Sequence, residues 1–263
     1  MKNNYKTIKS ELRNRCVIIW LNRPEVHNAF NNNMMTELLD ILHDIEKNDD
    51  IRSIIISGKG RSFSAGADLK WMKETIKFSK EKNLNESKLI SELFKKIYTL
   101  KKPVISAING AAIGGGMGFV ASSDIVISSD KAVFGLSEVR IGLIPAIIST
   151  YLLRKSTEGK LKELFITGRR FGPEIALDAG LVNEIVKDGD LISAAMKRAD
   201  ELESAGPDAI AACKELFSKI PELNLDEASD FTAHLLADLR IGEEAQEGMK
   251  SFLEKRDPKW KKT

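Results

Sequence analysis

Short apolar runs bounded by turn residues alternate along this chain with stretches whose apolar residues recur every three or four positions, and this alternation restricts the fold most. Arg15 to Leu21 (RCVIIWL) is the first run and ends at Asn22-Arg23-Pro24, as a buried strand meeting a turn does. Helical spacing then takes over at Met34, Met35, Leu38, Leu39, Leu42 and Ile45, one apolar face of an amphipathic helix. Ile54 to Ile56, followed by Ser57-Gly58, reads as a second strand with its turn. Helix-spaced Leu84, Leu89, Leu93, Ile97 and Leu100 lead to Pro103, where Val104 to Ile108 begins a third strand. Asp124 to Ser128 and Leu181 to Val186 read as the fourth and fifth. Strands alternating with helices in this way predict an α/β fold of βαβ units with right-handed crossovers, not an all-β or bundle fold. From about Asp190 the pattern is helical, with Pro207 and Pro221 near helix starts. Residues 73–88, rich in Lys and Asn, read as a mobile loop or an exposed helix.

Composition removes several classes of function. With 263 residues, 43% of them hydrophobic, the chain can bury a full-sized core. No run reaches the roughly 18 to 20 apolar residues of a membrane span, and MKNNYKTIKS lacks the apolar stretch of a secretory signal, so the expected compartment is the cytoplasm. Cys16 and Cys213 lie far apart, and His27, His43 and His234 show no metal-ligand pairing, so neither a disulfide framework nor a metal site is expected. Forty Lys and Arg against 38 Asp and Glu leave a net charge of +2, which argues against a nucleic-acid or membrane partner. The most basic stretch is the tail, with Lys255, Arg256, Lys259, Lys261 and Lys262 flanking Trp260, and it reads as a solvated terminal helix.

Three segments can carry chemistry. Ser64-Ala65-Gly66-Ala67-Asp68-Leu69 follows the strand at Ile54, and Asn109 to Gly118 (NGAAIGGGMG) follows the strand at Val104. Small residues there let the backbone approach a ligand, and free N–H groups at a helix start can face developing negative charge. Two such turns facing each other would make an oxyanion hole; each alone could equally be a tight turn or a close helix contact. Other motifs fail on spacing. Phe119 stands where a dinucleotide fingerprint needs its third glycine, and Ser62 where a nucleophile elbow around Ser64 needs a glycine. The third segment, Phe134 to Pro145 (FGLSEVRIGLIP), sets Glu138 in an apolar, Gly-bounded stretch. Burial there would raise its pKa and let it exchange a proton near neutral pH, unless it is tied in an ion pair with Arg140.

Taken together and in this order, the three segments resemble the crotonase superfamily, the enoyl-CoA hydratases and isomerases. The likeness extends to Leu21 to Phe30 (LNRPEVHNAF), Ile166-Thr167-Gly168, Ala179-Gly180-Leu181-Val182, and Glu247-Gly248-Met249 with Phe252 and Glu254-Lys255-Arg256. The resemblance implies an α/β spiral of ββα units over residues 1–190 and a C-terminal helical oligomerisation region over 191–263 that builds a homotrimer or homohexamer. It implies an acyl-CoA thioester substrate and no cofactor, coenzyme A being part of the substrate. Carried over by position, Ala67 and Gly115 supply the N–H groups that hold the thioester oxygen and Glu138 the proton-handling carboxylate. Val26, Ala65, Asp68 and Leu69 match the coenzyme A groove, and Phe252 and Lys255 match positions that reach a neighbouring subunit's coenzyme A. Departures are as informative. The second glutamate of well-known hydratases is Gly118 here, Ser137 replaces a common proline, and Ala146-Ile147-Ile148 replaces a Gly-rich turn. With Ala-Gly-Ala-Asp-Leu-x-Trp-Met and Ser-Glu-Val-Arg-x-Gly-Leu-Ile-Pro-Ala, the chain is most similar to the methylglutaconyl-CoA and carboxygeranoyl-CoA hydratases. The expected activity is hydration of a 2-enoyl-CoA. A 3-enoyl to 2-enoyl-CoA isomerase is the alternative, and an acyl-CoA- or RNA-binding module using the basic tail is the non-enzymatic one.

Overall fold

The computed structural model describes residues 4–261, so Lys262 of the basic tail lies outside the described residues. The strands are β1 (Ile8–Arg13), β2 (Cys16–Leu21), β3 (Ser53–Gly58), β4 (Ser62–Ser64), β5 (Val104–Ile108), β6 (Ala111–Ile113), β7 (Ile125–Ser129), β8 (Val133–Gly135), β9 (Arg170–Phe171) and β10 (Glu184–Val186). They form a six-stranded sheet in the order β1-β2-β3-β5-β7-β10 and a four-stranded sheet in the order β4-β6-β8-β9. The large sheet is parallel except for β1, and the small one parallel except for β9. Each repeating unit gives one strand to the large sheet and, after a short connection, one to the small sheet, as in β3–β4, β5–β6 and β7–β8. A helical stretch follows each pair, which makes the fold a spiral of ββα units.

The helices are α1 (Asn32–Glu46), α2 (Leu69–Thr75), α3 (Lys80–Thr99), α4 (Met117–Ser122), α5 (Ala146–Lys155), α6 (Glu158–Thr167), α7 (Pro173–Asp178), α8 (Leu191–Glu203), α9 (Pro207–Lys219), α10 (Leu225–Ile241) and α11 (Glu243–Leu253). Alternate residues of the large sheet serve two cores. Val17, Ile19, Ile54, Ile56, Val104 and Val126 face the main core with α1, α3 and α4. Cys16, Ile18, Ile55, Ile105, Ala107 and Ile127 face Leu191, Ala195 and Ala199 of α8. Burial on both faces explains why these strands read as unbroken apolar runs. The helical C-terminal region behaves differently after α8. Among the described residues α9, α10 and α11 bury only Ala212 and Ser251, while Leu225, Ile241, Phe252 and Leu253 are each at least 80% exposed.

The basic tail folds back on the molecule. Arg256 pairs with Glu247 at 2.6 Å and with Glu254 at 2.7 Å. The Trp260 indole donates to the Ser204 carbonyl at 3.2 Å, and the Trp260 carbonyl accepts from Arg15 at 3.0 Å. Arg256 and Trp260 are thus held in place. No described helix is long and apolar enough to cross a membrane.

Candidate active site

Strands β4, β6 and β8 lie side by side and parallel, with Ser64 opposite Ala112 and Ile113 opposite Gly135. The three segments singled out in the sequence therefore leave one edge of the small sheet together. That edge, beyond the carboxyl ends of parallel strands, is where α/β folds place ligands.

The first segment is pinned by Phe30. Phe30 N–H donates to the Gly66 carbonyl at 2.8 Å, and Asp68 N–H donates to the Phe30 carbonyl at 3.0 Å. A parallel bridge that takes its bonds from residues on either side of Ala67 turns the N–H of Ala67 itself the opposite way. Gly66 has φ +87°, and a Cβ on it would lie 2.7 Å from the Ile113 carbonyl oxygen and 3.1 Å from the Gly115 nitrogen. The two loops thus touch, and only glycine fits the junction. Gly115 lies in the 3-10 turn Gly114–Gly116 that runs into α4, where first-turn N–H groups have no intrahelical acceptor. A Cβ there would run into the Phe30 ring. One N–H on each of two abutting loops is the kind of pair an oxyanion hole would use.

Glu138 sits in a 3-10 turn, Ser137–Ile141, closed by Gly142 N–H to the Val139 carbonyl at 3.3 Å and Leu143 N–H to the Glu138 carbonyl at 3.0 Å. Its carboxylate lies over Gly114, whose absent Cβ would be 3.5 Å from Oε1. Oε2 is closed off from water and has no partner. Burial holds the carboxyl above its ordinary pKa, against a weaker opposing bond from its own N–H. Arg140 turns away and donates to the Thr167 carbonyl at 3.3 Å, so no ion pair competes for the proton.

Around these groups is a cleft of about 810 Å³ with apolar walls that include Met72, Ile90, Ile113, Ile144 and Ile148. Its polar side chains are Ser87, Ser137 and Glu138, and Glu138 is its one ionisable residue among those described. Ala65, Ala67, Leu69 and Gly115 line it as well. Val26 is half-buried beside that wall, where the next residue's carbonyl, that of His27, accepts from Ala65 N–H at 3.0 Å. The Asp68 side chain points inward: it caps α2 through Lys70 N–H at 2.8 Å and Trp71 N–H at 3.3 Å and pairs with Arg23 at 2.7 Å. Burial pushes its pKa up, but Arg23 and the two N–H donors outweigh that and hold it below the ordinary value. Phe252 and Lys255, at the exposed end of α11, line no part of this chain's cleft.

Two aromatic residues to which the sequence reading gave no role at the site shape it. Phe30 fixes both donor loops. Phe94, on α3, fills the side-chain space of Gly118: a Cβ there would fall within 3.0 Å of three atoms of its ring. Phe94 continues the helical spacing of Leu93 and Ile97, and that periodicity was the signal for it. No group of His, Cys, Asp and Glu among the described residues could hold a metal ion.

The family model described as enoyl-CoA hydratase/isomerase matches residues 11–263. The chain belongs to this family. It is an enzyme of the crotonase superfamily, and its ββα spiral is the fold of that superfamily. A solved enoyl-CoA hydratase from Shewanella pealeana superposes with a TM-score of 0.93 at 34% identity, covering 97% of this chain and 96% of the other. The short-chain-enoyl-CoA hydratase of Clostridium acetobutylicum is 32% identical over 94% of both chains. The carnitinyl-CoA dehydratase of Escherichia coli is 34% identical over 92% of this chain and 94% of its own.

Proposed function

We propose that this enzyme adds water across the C2–C3 double bond of a 2-enoyl-CoA, with Ala67 and Gly115 N–H holding the thioester oxygen and Glu138 moving the protons. The observation that carries the reading is the Glu138 carboxylate, the one ionisable side chain on an apolar cleft among the described residues, with Oε1 beside Gly114 and Oε2 buried without a partner. A thioester carbonyl held by two donors takes up charge as an enolate, which makes C3 open to attack. Each such donor contributes about 3 to 4 kcal/mol of transition-state stabilisation. Glu138 takes a proton from water as oxygen bonds to C3 and returns it to C2 as the carbonyl re-forms. The names of the similar hydratases support water as the co-substrate.

One observation favours a second reading. With Phe94 in the side-chain space of Gly118, a single carboxylate serves the site, and one carboxylate over an oxyanion hole suffices to move a proton between C2 and C4 of a 3-enoyl-CoA. The motif likeness to the methylglutaconyl-CoA and carboxygeranoyl-CoA hydratases supports a branched acyl group. Assembly as a trimer or hexamer, with Phe252 and Lys255 meeting a neighbour's coenzyme A, is supported by the exposed apolar residues of α10 and α11. Turnover of crotonyl-, 3-methylglutaconyl- and 3-hexenoyl-CoA separates these readings. Hydration of a 2-enoyl substrate is expected, and turnover of 3-hexenoyl-CoA alone would replace the hydratase with the isomerase.

A further inference from the structure

Adding water to C3 requires the water to be held in two directions, one proton toward the base and the other toward a second partner, so that a lone pair faces carbon. The second carboxylate that Gly118 would otherwise offer has no room. The Phe94 ring that occupies its space is itself packed edge-on against Phe119, with centroids 5.4 Å apart and planes at 90°. Besides Glu138, the polar side chains on the cleft wall are the hydroxyls of Ser87 and Ser137.

These two hydroxyls are not equivalent. Ser87 lies on α3 in a stretch from Leu69 to Glu92 in which no residue is fully buried, and it is held only through half-buried neighbours such as Leu89 and Ile90. Ser137 directly precedes Glu138 and follows buried Leu136 at the exit of β8. The hydrogen bonds that Gly142 and Leu143 make back to Val139 and Glu138 lock the same turn. No hydrogen bond engages the Ser137 hydroxyl among the described residues, and it faces the same cleft as the carboxylate.

We infer that Ser137 is the second partner of the attacking water, taking the part that a carboxylate at position 118 would play. This rests on the hydratase reading. One water proton goes to the Glu138 carboxylate and the other hydrogen-bonds to Ser137 Oγ, while the water oxygen bonds to C3. The C2–C3 π pair becomes the C1–C2 π bond of the enolate, and the carbonyl π pair moves onto the thioester oxygen. Glu138 then returns its proton to C2 and is a carboxylate again, so the sum is one water added and nothing oxidised or reduced.

The test separates water attack from enolate formation, using hydration of crotonyl-CoA and exchange of the C2 protons of butyryl-CoA with deuterated solvent, followed by NMR. Exchange needs the oxyanion hole and Glu138 but no bound nucleophile. Ser137→Ala is expected to lower the kcat of hydration about tenfold, the scale of one lost hydrogen bond, with KM within about twofold and exchange unchanged. Ser137→Thr, which keeps the hydroxyl, restores most of the rate. Glu138→Gln loses both reactions. Wild-type hydration by Ser137→Ala, a parallel loss of exchange, or the same split in Ser87→Ala instead would overturn the assignment of Ser137 alone. A wild-type enzyme that exchanges C2 protons yet hydrates no 2-enoyl-CoA would sink the hydratase reading, and the assignment with it.

Discussion

Replacing Gly118 by alanine isolates the reason this site has one carboxylate. On propensity alone the change should help, because glycine inside a helix costs about 1 kcal/mol relative to alanine. Packing opposes it. The added methyl would meet three atoms of the Phe94 ring within 3.0 Å, and that ring cannot retreat freely because it packs edge-on against Phe119, which packs edge-on against Phe63 with centroids 5.7 Å apart. Overpacking of a tight core costs about 1 to 3 kcal/mol. The net expectation is a loss of up to about 2 kcal/mol, a fall in Tm of up to roughly 8 °C for a chain of this size, in place of the gain that propensity alone would give. Thermal unfolding by circular dichroism reads the sign. Adding Phe94→Leu should relieve the clash, so the double variant is more stable than the two single effects sum to, by about 0.5 to 3 kcal/mol. A Gly118→Ala protein stabilised by the full helix-propensity gain would refute the argument, since Phe94 would then not exclude a side chain from that position.

Three further outcomes follow from the same geometry. Ala67→Pro deletes one proposed oxyanion donor and should abolish turnover while circular dichroism still reports a folded chain; a folded, active variant contradicts the role of that N–H. Because burial raises the Glu138 pKa, the acid limb of the rate–pH profile should lie above the ordinary carboxylate range. Folded-state stability contributed by that carboxyl is fully present at low pH and lost as pH rises through the raised pKa, so Glu138→Gln should flatten this slope; an unchanged slope in urea titrations would refute the burial argument. Phe252→Ala with Lys255→Ala should raise KM for acyl-CoA more than it lowers kcat, in a protein that light scattering finds to be a trimer or hexamer; a monomer of full affinity contradicts both ideas. Point substitutions serve better than truncation here, because the tail beyond them anchors Trp260 on Ser204 and Arg15.

The large sheet was legible because burial on both faces writes itself as apolar runs, and β2, β3, β5 and β7 fall within a residue or so of the runs at Arg15, Ile54, Val104 and Asp124. The fifth run begins early: Leu181 and Val182 are buried in a turn bonded to the Ala176 carbonyl, and β10 starts only at Glu184. The small sheet was not legible. Strands of two or three residues such as Ser62–Ser64 and Arg170–Phe171 are too short to establish a period, and in the large sheet the edge strand β1 also went unread because its solvated face leaves Leu12 55% exposed. Yet that small sheet brings the three chemical segments to one edge. Glu138 and the two Gly-rich loops could be singled out in the sequence by residue type, and the structure brings them to one cleft. Asp68 could not be seen to turn inward, nor Phe94 to fill the space at Gly118, because both depend on contacts between distant segments.

The most direct test of the central claim is the rate of 2-enoyl-CoA hydration by Glu138→Gln, measured beside its acyl-CoA affinity by calorimetry. With no second carboxylate on the cleft among the described residues, the rate should fall by roughly two to four orders of magnitude while Kd stays within a few-fold. Near wild-type turnover in a variant that still binds acyl-CoA would contradict it.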